Sequence, residues 1–199
     1  MDINNYIVPI YKGKEFVGTG FIAGSTLITA AHVIETPTLS YSCLWKGNPI
    51  SLSCADILWH EYPEADYMQG QGNKYLDLAI YKMDDVESPL ELSAPDLGVS
   101  CNYCGFSFDE EKKCLQEDSY SNIILNDNTK YYPRSGGRAI PIKNCYLSDI
   151  GKCKEGNSGG PLFQGEKVVG MLSGNQDYGD NSKDRYIKSE YIMSILRYI

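Results

Sequence analysis

Short apolar runs, each broken after a few residues by glycine or a polar pair, set the pattern of this chain. In "NYIVPIYKGKEFVGTGFIAGSTLITAAHVI", β-branched and aromatic residues cluster around the breaks "KGKE" and "AGST". Those breaks suit hairpin turns, because glycine supplies the turn conformations. "KYLDLAIYKM" (74–83) alternates as a strand does, with Leu76, Leu78 and Ile80 on one face and Tyr75, Asp77, Ala79 and Tyr81 on the other. "DDVESPLELSAPDLG" (84–98), rich in acids and proline, reads as a connector between two halves. Beyond it, "VSCNYCGFSF", "SYSNIILN", "AIPIKNCYL", "PLFQGEKVVGMLSG" and "DRYIKS" form a second set of strand-length runs, with Gly165 in a hairpin turn. Only "SEYIMSILRYI" has helical spacing. Ile192, Ile195, Leu196 and Ile199 fall at i, i+3, i+4 and i+7, which makes one apolar stripe on a helix over about 189–199 with Ser189 as its N-cap. Many short strands with turns at regular spacing predict an all-β fold of barrels or a sandwich.

Composition limits what this framework can carry. The 199 residues, 42% of them hydrophobic, are enough for one large domain or two small ones with a real core. A net charge of −8 argues against nucleic-acid or anionic-membrane partners, which need a cationic surface. No apolar run approaches the ~20 residues that span a bilayer. "MDINNYIVPI" lacks the basic-then-apolar pattern of a signal peptide, so a cytoplasmic location is expected unless the chain starts at a cleavage site. Seven cysteines, an odd number, fit free thiols in a reducing compartment better than a complete disulfide framework. "CNYC" (101–104) has the spacing of a zinc or redox pair. No second such pair exists and neither histidine is near it, so no metal is expected and the two cysteines read as thiols in or beside a strand.

Histidine is scarce: only His32 and His60 are present. A general base working near neutral pH would most naturally be one of them. His32 ends the apolar run "LITAAHVI", where small alanines leave room around the ring, although a satisfied core histidine has the same signature. His60, in the polar stretch "LWHEYPEAD", reads as a loop residue. Asp77 is an acid inside an apolar strand. It is either satisfied by backbone N–H groups or the partner that fixes a histidine tautomer. Ser158 lies in "CKEGNSGGPLF". A serine hydroxyl is a weak nucleophile unless a base takes its proton. The glycines beside it allow the amides of Gly156 and Ser158 to converge on the oxygen that becomes negative during acyl transfer. Each signal alone is weak; the ordered set of His, Asp and Ser is strong.

With these residues in place, the chain resembles the chymotrypsin-like (trypsin-fold) serine peptidases. "GTGFIAGSTLITAAHVI", "YLDLAIYK" and "GNSGGPLF" match that family's three blocks, and "VVGMLSG" and the closing helix follow where expected. The resemblance implies two six-stranded antiparallel β-barrels plus a C-terminal α-helix. Residues 1–92 would carry His32 and Asp77, residues 93–199 would carry Ser158, and the active site would lie between them. It implies a serine endopeptidase that needs no cofactor and acts on protein or peptide substrates. Ser158 is the nucleophile, His32 the base and then acid, and Asp77 the orienting carboxylate. Ser173 matches the serine that supports the aspartate, and Gly174 and Asn175 match the positions that pair with substrate backbone.

Two departures, Asn157 before the serine and Val33 where secreted members often carry a cysteine, fit a non-zymogen enzyme. "GNSGGP" resembles HtrA-like and other bacterial members, here without room for a PDZ domain. Specificity is open. Lys152, if its ammonium points into the primary pocket, favours an acidic side chain. Asp184 or Asp177 would favour a basic one, Tyr186 would narrow the pocket, and Glu155 and Lys154 lie near enough to contribute or to be simply solvated. Two other readings stand beside the endopeptidase: a regulatory protease making one cleavage in a bacterial defence or signalling system, and a non-catalytic peptide-binding module on the same fold.

Overall fold

Strands buried along most of their length, such as β-runs at 18–23 and 78–81, build two sheets around a shared apolar core. In the computed structural model, residues 3–61, 77–127, 130–131, 140–141, 144–149, 151–178 and 181–199 are described, without the side chains of 130, 131, 140, 141, 175–178, 181 and 182. The first sheet contains β1 (Ile7–Lys12), β2 (Glu15–Ala23), β3 (Thr26–Thr29), β4 (Tyr41–Trp45), β5 (Asn48–Leu52), β6 (Ile57–Glu61) and β7 (Leu78–Lys82), in the order β5-β4-β1-β2-β3-β7-β6. The hairpins predicted at "KGKE" and "AGST" join β1 to β2 and β2 to β3.

The connector contains one short strand, β8 (Glu91–Leu92), which pairs in parallel with the second sheet. There follow β9 (Cys101–Asp109), β10 (Cys114–Ile123), β11 (Leu125–Asn126), β12 (Lys130–Tyr131), β13 (Ile140–Pro141), β14 (Cys145–Ser148), β15 (Pro161–Gln164), β16 (Lys167–Tyr178) and β17 (Asn181–Lys188). The second sheet runs β10-β9-β15-β16-β17-β14-β11, with β8 beside β16, and β12 pairs with β13 apart from it. The two curled antiparallel sheets and closing helix are the double-barrel architecture that the sequence predicts. Among the described residues the sheets hold seven and eight strands rather than six each, and the short pieces β8 and β11 both belong to the second.

The sheets meet where β9 runs beside β1 and β2. One apolar core crosses that seam, joining Phe21, Ile28 and Ile80 of the first sheet to Phe163, Met171 and Ile187 of the second. Tyr81, Tyr103 and Tyr186 are among the largest side chains wholly buried, which is where part of the heavy use of tyrosine goes.

Helix α1 (Ser189–Leu196) buries Ile192 and Ile195 against the body, as the stripe requires. It is shorter than the expected 189–199, and Ile199 lies 47% exposed beyond its end. Ser189 is not its N-cap. The cap position is Lys188, and the buried Ser189 hydroxyl instead donates to the Val168 carbonyl at 2.9 Å, tying the first turn to β16. His60 also departs from expectation: it lies in β6 opposite Ala79, with Nε2 2.9 Å from the Ile34 carbonyl. Alternating apolar and polar residues were too few around it to mark the strand.

Candidate active site

β3 runs as a buried strand to Thr29 and gives way, at the small residues Ala30 and Ala31, to a single 3-10 turn over Ala31–Ile34. The turn closes when the Val33 amide donates to the Ala30 carbonyl at 3.1 Å. It raises His32 from the sheet. Ala31 and Val33 are buried, whereas the His32 side chain stays 35% exposed and lines a cleft of about 680 Å³ with Gly156 and Ser158.

Asp77 immediately precedes β7 and is wholly buried. An unpaired carboxylate there would be costly, and three donors satisfy it. Oδ1 accepts the backbone N–H of His32 at 3.0 Å. Oδ2 accepts the ring Nδ1–H of His32 at 2.8 Å and the Ser173 hydroxyl at 2.5 Å. A carboxylate only accepts, so Nδ1 carries the proton and Nε2 remains the basic nitrogen. Burial and Arg185 both work against the charged ring. The Asp77 hydrogen bond and charge, with a smaller contribution from Glu35, outweigh them and hold His32 above its ordinary pKa.

Ser173 reaches Asp77 because β16 is irregular at that point. Leu172 pairs with Tyr186 and Gly174 with Arg185, so Ser173 is the extra residue of a bulge. A bulge re-aims its side chain, here into the seam. β15 pairs with β16 only as far as Met171. From Ser173 to Gly174, β16 therefore has no strand partner on that side among the described residues, an open edge of the kind that accepts an added strand.

The nucleophile segment is held by both sheets. Thr19 of β2 donates its amide to the Ser158 carbonyl at 2.9 Å and its hydroxyl to the Gly156 carbonyl at 2.9 Å. The same hydroxyl accepts the Phe106 amide at 3.0 Å. Gly159, at φ +87°, packs so closely that an added Cβ would lie 2.0 Å from the Thr19 carbonyl oxygen. Just upstream, residues 154–157 form a turn closed by the Asn157 amide on the Lys154 carbonyl at 3.1 Å, with Gly156 at φ +88°. That combination is the signature of a type II turn. The Asn157 amide is thus engaged, while the amides of Gly156 and Ser158 on either side of it have no acceptor among the described residues. Such a pair of donors can bind one oxygen anion.

Asn157 is buried and works as a strut. Its Oδ1 accepts the Lys154 amide at 2.7 Å, its Nδ2 donates to the Phe106 carbonyl at 2.9 Å, and its own carbonyl accepts the Tyr103 hydroxyl at 2.6 Å. Thr19 and Tyr103 escape a sequence reading because neither sits in a motif of its own. The only sign of Thr19 is its place between two glycines in "GTG".

The residues considered for specificity fall in different places. Lys152 sends its ammonium to the Ser121 carbonyl at 2.9 Å, so the inward pointing on which an acidic preference depended is not found. Asp184 is wholly buried and accepts the Lys152 amide at 2.9 Å and the Cys153 amide at 3.3 Å, an anchor for the segment before the turn. Tyr186 is buried with its hydroxyl 3.6 Å from Cys153 Sγ. Glu155 is exposed and lines the cleft. The side chains of Asn175 and Asp177 lie outside the described residues.

"CNYC" occupies β9, where Cys101 is buried and Cys104 half-buried. Residues three apart on a strand point to opposite faces, so one cation cannot readily be held by both sulfurs. Burial pushes the Cys101 thiol up to about 11. Among the described residues no helix is long and apolar enough to cross a membrane.

Comparison with known proteins agrees with this fold. A family model described as Trypsin matches residues 3–196. Among curated proteins none matches the chain by sequence. Solved structures share its fold at low identity. Neuropsin, a serine protease expressed in the limbic system of mouse brain, is 15% identical with a TM-score of 0.69 over 98% of this chain and 94% of its own. The scabies mite inactivated protease paralogue S-I1 is 18% identical with a TM-score of 0.67 over 100% and 97%. Rv3671c from M. tuberculosis H37Rv, in an inactive form, is 16% identical with a TM-score of 0.66 over 99% and 87%.

Proposed function

Since the chain belongs to the trypsin family, we propose that it is a serine endopeptidase cutting peptide bonds through an acyl-enzyme. The observation that carries this reading is the buried Asp77 bound to His32 Nδ1 beside a cleft that also holds Ser158 and two amides without acceptors. In this mechanism, His32 Nε2 takes the Ser158 proton as Oγ attacks the substrate carbonyl. The imidazolium that forms is stabilised by Asp77, whose own position is fixed by Ser173. The amides of Gly156 and Ser158 bind the oxyanion, and His32 returns the proton to the leaving amine. Water then repeats the sequence on the ester. The open edge at Ser173–Gly174 supports recognition of an extended peptide as an added strand.

The finer type proposed is a bacterial, HtrA-like enzyme that needs no newly cleaved N-terminus. Asn157, which has no charge to pair with such a terminus, supports it. Seven cysteines without a disulfide among them support a reducing compartment.

Labelling with a fluorophosphonate tests the reading. Folded wild type is expected to be labelled at Ser158, and Ser158→Ala not at all. Absence of labelling on folded wild type would reject it and favour the non-catalytic binding module, a reading kept in view because one structural neighbour is named an inactivated protease paralogue. His32→Ala is expected to abolish turnover of a peptide substrate while His60→Ala leaves it nearly unchanged. Equal losses would mean that the base has been misassigned.

A further inference from the structure

A carboxylate outside the triad stands directly behind the turn that carries the Gly156 amide. Asp118 lies in the middle of β10 opposite Gly105 and is 8% exposed. Its Oδ2 accepts the Asn157 side-chain amide at 2.8 Å, and its Oδ1 accepts the Lys154 ammonium at 3.2 Å. Those two partners are the first and last residues of the type II turn. They are also joined to each other, by the backbone bond from the Asn157 amide and by Asn157 Oδ1 on the Lys154 amide at 2.7 Å. Between them lie only Glu155 and Gly156.

The orientation of that central peptide decides what the turn can do. A type II turn and a type I turn have the same ends, but the peptide between their middle residues is rotated over. In the type II form the Gly156 N–H is available to a substrate oxygen. In the type I form the Glu155 carbonyl takes its place, and an anion there would be repelled. The two forms differ by little energy in an unsupported turn, and the form seen with Asp118 bound to both end residues is the type II one. Burying a carboxylate is costly unless it is paired and hydrogen-bonded, and here, besides Ser107 of the neighbouring strand, two partners are drawn from the turn itself.

Resting on the reading of Gly156 as an oxyanion donor, we propose that Asp118 is a positioning residue that locks the 154–157 turn in its oxyanion-binding form. It acts from inside the second sheet, as an internal carboxylate paired with the uncharged Asn157. A neutral residue before the nucleophile therefore does not leave the turn unsupported: the charge sits on β10 and reaches the turn through an amide.

The test compares wild type, Asp118→Ala and the near-isosteric Asp118→Asn. The readouts are kcat and KM on a peptide substrate, affinity for a peptidyl boronate that places an oxygen in the hole, and the amide NMR signal of Gly156. In Asp118→Ala, kcat is expected to fall by about tenfold or more while KM stays within about twofold, since a misplaced donor is lost only in the transition state. Boronate affinity should fall in step and the Gly156 signal should move. Asp118→Asn, which keeps an acceptor for Asn157 but loses the charge that attracts Lys154, should recover part of each. A folded Asp118→Ala protein with wild-type kcat and boronate affinity would overturn the proposal, as would a change confined to KM and thermal stability. If wild type itself proves inert to fluorophosphonate, the peptidase reading fails. The Gly156 signal still decides the lock: unmoved in both variants, it sinks the idea.

Discussion

His32 holds its proton more tightly than a free imidazole does, because Asp77 favours the charged ring despite burial. A base must be neutral to act, so activity is expected to fall as pH drops through the His32 pKa, with the midpoint above the ordinary value of about 6.5. A profile of kcat/KM against pH checks this; an acid limb centred below that value would contradict it. In Asp77→Asn the carboxylate that raises the pKa is gone, so the limb should move toward lower pH. In that variant kcat should drop by about 10,000-fold, because an amide can also hold the wrong tautomer. Stability follows the opposite sign to activity. A folded-state pKa raised above the unfolded value contributes stability that is present below about 6.5 and lost as pH rises through the folded value. The protonated pair thus favours the fold and opposes the chemistry.

The nucleophile loop between β14 and β15 is held by a strand of the other sheet, and Gly159 is where the fit is tightest. Gly159→Ala is expected to destabilise the protein by at least about 2 kcal/mol in urea unfolding, since alanine is strained at φ +87° and its Cβ would meet the Thr19 carbonyl and the Thr29 hydroxyl. A loss of a few tenths would mean that the loop relaxes freely. Elements of this kind mark the limit of what the sequence reveals. "GNSGGPLF", "LITAAHVI" and the 3.6-residue stripe of α1 are local signals, readable from spacing alone. Thr19, Tyr103 and Asp118 act through contacts across 39 to 137 positions, and nothing beside them in the chain announces their partners. Ser189 shows the converse: a good N-cap type in the right place, whose hydroxyl was taken by a carbonyl on β16. His60 was hidden because β6, "ILWHE", is an edge strand whose residues are all half-buried, without the alternation that identifies strands.

Over the whole molecule, no disulfide joins any of the seven cysteines. Stability is therefore expected to be indifferent to reductant, and thermal melts with and without dithiothreitol should coincide. A thiol reagent should modify exposed Cys54 and Cys114 in the native protein, whereas buried Cys43, Cys101 and Cys145 should react only on unfolding. A melting point that falls on reduction would point to a disulfide instead. Within the connector 84–98 the chain passes from the first sheet to the second, and β8 already pairs with the second one, so the change of sheet divides the molecule between β7 and β8.

The bond between Thr19 and the Ser158 carbonyl spans that division, and it bears on how the activity is born. On a ribosome the half with His32 and Asp77 is made first, without a nucleophile; the half with Ser158 is made later, without a base. On the proposed mechanism, neither half could cut the other or its neighbours while it is still folding. The bearing for Ser158 is supplied only when β2 closes against the finished loop, so docking of the sheets would double as a safety catch.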